Sequence, residues 1–173
     1  MADMDQQPRE DLSGEAACRK IRELAKDARM CMLATDVTDY PGDVRPMAIQ
    51  KVEDDGTFWF LSSGASEKNG DIAHDARVIL TIQNDEKYEY LALSGVASVH
   101  TDRVTIDKYW TDYANAWFDG KDDPRITVIC VKPVDGHYWQ THSGKVMSFI
   151  KTSLSAITGS KTSDGGVDGD LKV

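Results

Sequence analysis

The sequence VRPMAIQKVEDDGTFWFLSS, residues 44–63, gives the clearest evidence of a fold in this chain. Two runs of strand-forming residues, 44–52 and 57–63, flank the acidic sequence EDDG at 53–56. β-Branched and aromatic residues favour strands, and an Asp-Gly pair between two such runs is a strong hairpin signal. The sequence therefore predicts two antiparallel strands joined by a tight turn.

Other runs on both sides of this hairpin predict a mostly β fold with flanking helices. The helices do not alternate strictly with the strands, which argues against a doubly wound sheet and favours a closed or half-closed antiparallel β-barrel of six or seven strands. Ser94-Gly95 predicts a bulge in one strand, and Ser13 and Asp102 are candidate helix N-caps. The further predicted strands are 30–35, 77–83, 88–100, 126–131 and 137–141, and the predicted helices are 15–28, 66–74, 102–116 and an amphipathic segment at 146–157.

Length and composition predict one domain. The chain has 173 residues, of which 40% are hydrophobic and 28% charged, a balance that suits one core. We assign that domain to residues 13–158. Residues 1–12 are predicted to be a disordered lead, and the Gly-, Ser- and Asp-rich residues 159–173 a flexible acidic tail, in which Asp164, Asp168 and Asp170 resemble a calcium loop only loosely.

Charge and targeting signals narrow the class of protein. The net charge of −9 argues against nucleic acid or an anionic membrane as the main partner. The polar, acidic start of the sequence lacks the features of a secretory signal, which predicts a cytoplasmic protein. The three cysteines contain no Cys-x-x-Cys pair and the four histidines have no metal-ligand spacing, so the sequence predicts neither a disulfide framework nor a metal site.

A cluster of hydroxyl groups and one cation follows the second hairpin strand. Ser62, Ser63, Ser66 and Lys68 lie where a glycine-bearing turn opens a helix. Hydroxyl donors, a cation and free backbone N–H groups together can hold a phosphate. An ordinary serine-capped helix with a solvated lysine explains the same residues, and both interpretations stay open at this stage.

Two further groups of residues also allow two interpretations each. Arg45 and Gln50 are an odd number of residues apart, so both serve one ligand only if Pro46 introduces a bulge or the ligand uses backbone atoms of the strand. Arg45 could equally form a surface salt bridge. The aromatic residues of 109–118 have helical spacing, which is typical of core or dimer packing and also allows a wall for a stacked ring.

The order of these motifs resembles a known family. RPMAIQ at 45–50 and FLSSGASEK at 60–68, separated by the Asp-Gly turn, resemble the FMN-binding region of the pyridoxamine 5′-phosphate oxidase-like split β-barrels. The later segments DRVTIDKYW at 102–110, WFDGKDDP at 117–124 and YW at 138–139 look most like the general stress protein 26 branch of that superfamily. The likeness covers about residues 22–141.

The resemblance implies an FMN site between two protomers of a homodimer. The first hairpin strand would line the isoalloxazine and ribityl groups, the second would follow the flavin, and Ser66 with Lys68 would hold the phosphate. Trp139 would come from the partner. The implied cofactor-binding residues are Arg45, Pro46, Met47, Ala48, Ile49, Gln50, Leu61, Ser62, Ser63, Ser66, Lys68 and Trp139.

Departures from the family pattern narrow the predicted activity. Gln50 stands where pyridoxamine phosphate oxidases carry a substrate-binding lysine, and Glu67 where they carry a second basic residue. We therefore expect an FMN-dependent redox flavoprotein of the general stress type, with a possible nicotinamide donor and no catalytic side chain, and not the classical vitamin B6 oxidase. The alternatives are a flavin carrier or sensor without turnover, and a related barrel that binds haem or a deazaflavin, with His137 or His142 as the candidate haem ligand.

Overall fold

The computed structural model describes residues 8–38, 42–141 and 166–173, and within them the fold is mostly β. The predicted amphipathic segment at 146–157 lies outside these residues. Eight strands and three α-helices are present in the described part of the chain, with a 3₁₀ helix at Asp112–Ala116. The strands are β1 (Leu12–Ser13), β2 (Met30–Thr35), β3 (Asp43–Val52), β4 (Phe58–Ser63), β5 (Arg77–Asn84), β6 (Glu89–His100), β7 (Ile126–Thr141) and β8 (Gly166–Lys172), and the α-helices are α1 (Glu15–Ala25), α2 (Glu67–His74) and α3 (Arg103–Tyr109).

Six strands close into a barrel. They are hydrogen-bonded in the order β7-β4-β3-β2-β5-β6, and β6 pairs back to β7. Every pairing inside the barrel is antiparallel. The predicted antiparallel split-barrel fold is therefore confirmed. A register shift falls at Ser94/Gly95, where the sequence predicted a bulge, but the extra residue is Val134 of the neighbouring strand β7.

The last two predicted barrel strands are one long strand. β7 pairs with β4 through residues 126–131 and with β8 through residues 135–141, while β6 runs along both parts. Pro133 lies between the two parts, and a proline can sit in a strand where no ladder hydrogen bond needs its nitrogen. The prediction of two separate strands was wrong.

The two predicted flexible ends are ordered where the structure describes them. Residues 166–172 form β8 against β7, and β1 pairs in parallel with β8, placing Leu12 opposite Leu171. The Glu10 N–H donates to the Asp168 carbonyl at 2.7 Å. The prediction of a disordered lead was wrong for residues 8–12, and that of a flexible tail was wrong for residues 166–172. We call residues 8–13 and 166–173 together the terminal clasp.

The barrel interior contains the main core. Leu33, Phe58, Phe60 and Leu80 are almost fully buried and come from three different strands, β2, β4 and β5. α1 closes one end of the barrel with its apolar side, on which Ile21 is fully buried. Helical spacing of apolar residues thus positions α1 as the sequence predicted, although the helix has Gly14 and not Ser13 at its N-cap.

The helices near the cleft described below are shorter than predicted. The Asp102 side chain caps α3 by accepting a hydrogen bond from the Thr105 N–H, as expected. The helix ends at Tyr109, because Trp110 has an extended backbone, and the chain continues as the 3₁₀ helix. No helix in the described ranges has both the length and the apolarity that crossing a bilayer requires.

Candidate functional site

A cleft of about 480 Å³ lies on the outer side of β3 and β4, next to the start of α2. Its volume falls within the range of roughly 300–1,000 Å³ that is typical of small-molecule sites. We call it the β3–β4 cleft. It is lined by Met30, Pro46, Met47, Ala48, Gln50, Leu61, Ser62, Ser63, Lys68, Ala114, Trp117, Phe118 and Arg125.

A cation and two hydroxyl-bearing residues lie at one end of this cleft. Lys68 is the second residue of α2, and Ser62 and Ser63 end β4. Among the described residues, no side chain forms a salt bridge or a hydrogen bond with the Lys68 amine. Burial and the nearby charge of Arg45 lower the pKa of Lys68. An unpaired, partly buried ammonium group favours an anionic ligand, because such a ligand would replace the water that the amine has lost.

Arg45 lies beside the cleft and not in its lining. Its Nη1 donates to the Thr35 hydroxyl at 2.5 Å, and the Thr35 hydroxyl donates to Asp71 at 2.7 Å. Arg45 also forms an ion pair with Asp71 at 3.6 Å. Because Asp71 belongs to α2, these contacts fix α2, and with it Lys68, against β2 and β3.

Ser66 likewise supports the cleft without lining it. The hydroxyl oxygens of Ser62 and Ser66 are 3.0 Å apart, and the Ser62 hydroxyl donates to the Asn69 side-chain oxygen at 3.0 Å. The Asn69 amide donates in turn to the Thr127 hydroxyl at 2.9 Å. This network fixes the end of β4 relative to α2 and β7, and the Asn69 and Thr127 contacts were not anticipated from the sequence.

A bulge in β3 brings Gln50 to the cleft. The strand register shifts between Ile49 and Lys51, three residues later than the sequence suggested. The Thr111 hydroxyl donates to the Gln50 side-chain oxygen at 2.7 Å. Gln50 therefore lies at the other end of the cleft from Lys68, while Ile49 packs against the core.

Trp139 is remote from the lining of this cleft in its own chain. It belongs to the part of β7 that pairs with β8, and its ring centroid is 4.5 Å from that of His137. Its expected contribution from a partner chain stays a prediction.

Some residues that line the cleft were not predicted from the sequence. Met30, Ala114 and Arg125 were not singled out, and Trp117 and Phe118 were left between packing and ring stacking. Arg125 is held by Asp123, whose pKa lies well below its usual range because of hydrogen bonds from Arg125 and from backbone N–H groups. The Asp-x-Arg spacing of these two residues is the sequence pattern that could have indicated this ion pair.

A sequence comparison identifies the family to which this architecture belongs. The family described as "Pyridoxamine 5′-phosphate oxidase like" matches residues 16–164, most of the chain. The chain belongs to the pyridoxamine 5′-phosphate oxidase-like family. The resemblance of its hairpin motifs to this family is thereby confirmed.

Two curated proteins are similar to this chain over part of their length. Protein bli-3 of Neurospora crassa is 30% identical over 125 residues, which are 66% of this chain and 60% of that protein. General stress protein 26 of Bacillus subtilis is 35% identical over 46 residues, which are 27% of this chain and 33% of that protein. The matches span less than two thirds of the length of either relative.

Solved structures of the family share the fold. A protein from Jannaschia sp. CCS1 has a TM-score of 0.72 and 24% identity, over 90% of this chain and 97% of that chain. The general stress FMN/FAD binding protein of Xanthomonas citri has a TM-score of 0.64 and 26% identity, over 76% of this chain and 93% of that chain. The fold of this family member is therefore that of an FMN-binding split barrel.

Proposed function

We propose that the protein is a redox flavoprotein of the general stress type that binds FMN in the β3–β4 cleft, at the interface of a homodimer. The observation that carries the proposal is the Lys68 amine, which pairs with no described residue, beside Ser62 and Ser63 at one end of a cleft with mainly apolar walls. FMN has a matching arrangement, with a phosphate at one end and a planar ring system at the other.

The lining residues suggest a role for each end of the cleft. Lys68 and the two serines would hold the phosphate. The apolar residues between them and Gln50 would exclude water from the ring, and Gln50 would contribute a polar contact at the rim. When bound, FMN supplies the hydride or electron chemistry. The described lining contains no carboxylate or imidazole, so this chain's part is to bind and orient.

The exposed side chains of β2, β3 and β5 support a dimer. Register places Ala34 of β2 opposite Val44 and Ile79, so these side chains share the outer face of the barrel. Several large apolar side chains are exposed there, and Met30 also lines the cleft. A contiguous apolar surface of this kind marks an interface, and here it borders the cleft. We call it the outer apolar face: Met30, Met32, Val44 and Ile79, which are 47%, 41%, 57% and 42% exposed.

FMN titration of cofactor-free protein tests the site. We expect saturable quenching of flavin fluorescence at one FMN per chain. Lys68→Ala removes a charge-assisted hydrogen bond worth about 1.5–3 kcal/mol, so FMN should bind roughly ten- to a hundredfold more weakly. Lys68→Arg, which keeps the charge, should recover most of the affinity. If Lys68→Ala binds FMN as tightly as the protein without substitutions, Lys68 does not contact the cofactor.

Anaerobic reduction separates a redox protein from a carrier or sensor. NADH or NADPH added to the FMN-loaded protein should bleach the flavin absorption. Absence of bleaching with both donors would favour a carrier or sensor.

The absorption spectrum also tests the haem and deazaflavin alternatives. The two ring nitrogens of His137 are engaged by Asp170 at 2.7 Å and Asp168 at 2.8 Å, which argues against His137 as a haem ligand. A haem Soret band would contradict the FMN proposal. Residence in the cytoplasm stays a prediction.

A further inference from the structure

A second cleft lies between α1 and β3 and has an unusual charge for this protein. Its volume is about 740 Å³, and its lining includes the basic residues Arg19, Arg22, Lys26 and Lys51 but only one acidic residue, Glu23. The whole chain has a net charge of −9. We call this cleft the α1 groove. A concentration of positive charge in an acidic protein attracts anions locally, because the neighbouring groups dominate the potential inside a groove.

Three of the four cations of the α1 groove form ion pairs, two of them with almost fully exposed carboxylates. Arg19 lies 3.8 Å from Glu15, whose side chain is 97% exposed. Arg22 pairs with Asp54 at 3.1 Å, but the Asp54 side chain is 93% exposed, so the pair is readily exchanged for another anion. No described residue forms a salt bridge or hydrogen bond with the Lys26 amine. Lys51 pairs with Glu53 at 2.9 Å.

The one carboxylate in the groove is already bound by other groups. Glu23 forms an ion pair with Lys20 at 3.3 Å and accepts a hydrogen bond from the Gln140 amide at 3.2 Å. Its charge is therefore partly compensated from outside the basic set, so Glu23 does not neutralise Lys26.

The α1 groove adjoins the β3–β4 cleft at Gln50, which lines both. Along β3, Pro46 and Gln50 are separated by about 13 Å at roughly 3.3 Å per residue. Lys68 lies at the Ser63 end of the cleft, so the two cationic regions lie at opposite ends, with the apolar walls between them. A flavin whose phosphate contacts Lys68 would have its ring toward Gln50, and the groove begins there.

We infer that the α1 groove binds the phosphate groups of a second ligand, a pyridine dinucleotide, whose nicotinamide end points past Gln50 toward the flavin. This inference rests on the proposed FMN site and adds to it a binding site for the nicotinamide donor. A dinucleotide carries a diphosphate that several basic side chains can contact at once. If the bound flavin were FAD, its adenylate would extend from the flavin phosphate. It would therefore lie next to Lys68, at the opposite end of the cleft from the α1 groove.

Isothermal titration calorimetry with ADP-ribose tests the α1 groove alone, because this probe has the diphosphate of a pyridine dinucleotide but no nicotinamide ring. In FMN-loaded protein we expect one site per chain, with affinity that falls as salt is raised from about 50 to 250 mM. Lys26→Ala should weaken ADP-ribose binding roughly three- to tenfold, and Lys26→Glu should abolish it. Both variants should leave the FMN affinity unchanged. Lys132→Ala, at an exposed site on β7, is the matched control and should bind normally.

The outcomes separate this inference from the proposed function. Normal FMN binding without Lys26-dependent ADP-ribose binding would overturn the inference and leave the FMN site intact. ADP-ribose binding that depends on Lys26 in a chain that binds no FMN would support the groove and contradict the proposed function. If the dinucleotide is the donor, Lys26→Ala should also raise the KM for NADH or NADPH without lowering kcat, whereas an unchanged KM would overturn its role as donor.

Discussion

Adjacent residues at the start of α2 have different environments. Lys68 lines the β3–β4 cleft, while Glu67 is exposed and absent from its lining. Consecutive helical side chains point about 100° apart, since a helix has 3.6 residues per turn. The Glu67 carboxylate, which stands where the family pattern has a basic residue, is therefore directed away from the end of the cleft that Lys68 lines.

This geometry predicts that charge reversal at Glu67 has little effect on the cofactor. Glu67→Arg should change the FMN dissociation constant by less than about twofold, because solvent screens the exposed charge. Fluorescence titration beside Lys68→Ala measures the difference. Tightening by tenfold or more would place the Glu67 side chain in the cleft.

Glu53 predicts a pH dependence of stability. Hydrogen bonds from Lys51 and Tyr109 lower the pKa of Glu53 to about 2, from an ordinary value of 4.5. A lowered carboxyl pKa stabilises the fold above pH 4.5, and this contribution is lost as the pH falls from 4.5 toward 2. Thermal melts of the protein should therefore show a larger drop in Tm over that interval than melts of Glu53→Gln. Parallel pH profiles would mean that the pKa of Glu53 is ordinary.

Arg45 and Gln50 show how much of the candidate site could be predicted from the sequence. The strand alternation of RPMAIQ correctly raised the problem of Arg45 and Gln50 facing opposite sides. It could not reveal that Arg45 binds Thr35 and Asp71, because Asp71 approaches only when α2 packs on the barrel. Contacts between distant parts of the chain depend on tertiary packing, which no local pattern contains.

At the scale of elements, the terminal clasp is the main feature that the sequence concealed. Gly, Asp and Ser are depleted in strands, so local preference favoured a flexible tail. The strand forms because β7 offers an unpaired edge and because His137 holds both Asp168 and Asp170. The barrel hairpin was predictable because its apolar alternation and its turn chemistry agree.

The clasp depends on a glycine. A Cβ at Gly169 would lie 1.8 Å from the Glu10 carbonyl oxygen, so any side chain there must displace residues 8–13. Gly169→Ala should therefore release this segment and increase hydrogen exchange at the Glu10 and Gly14 N–H groups, which now donate to β8. Gly120→Ser, at an open position with a positive φ, controls for a general loss of stability. Unchanged protection of Glu10 and Gly14 would contradict the close approach.

At the scale of the whole molecule, the outer apolar face predicts a dimer that completes the β3–β4 cleft. Met32→Asp places a charge at the centre of this face, where desolvating it would cost several kcal/mol. We expect the variant to sediment as a monomer and to bind FMN more weakly, although Met32 does not line the cleft. Lys132→Asp, on another exposed face, should leave both properties unchanged. If the protein without substitutions is a monomer and still binds FMN, a dimer is not needed to complete the β3–β4 cleft.

Leu12 and Leu171 are strand neighbours although almost the whole described chain lies between them. β1 and β8 run in parallel, so the Asp168 N–H donates to the Pro8 carbonyl near one end of the clasp and the Gly14 N–H donates to the Lys172 carbonyl near the other. Such proximity permits circular permutation. A linker from Val173 to Pro8 must run back along the clasp, roughly 20 Å at about 3.3 Å per residue, and with a new opening in the β5–β6 turn at residues 85–88 it would keep every described strand pairing. The same fold should therefore form when the chain begins and ends in the β5–β6 turn.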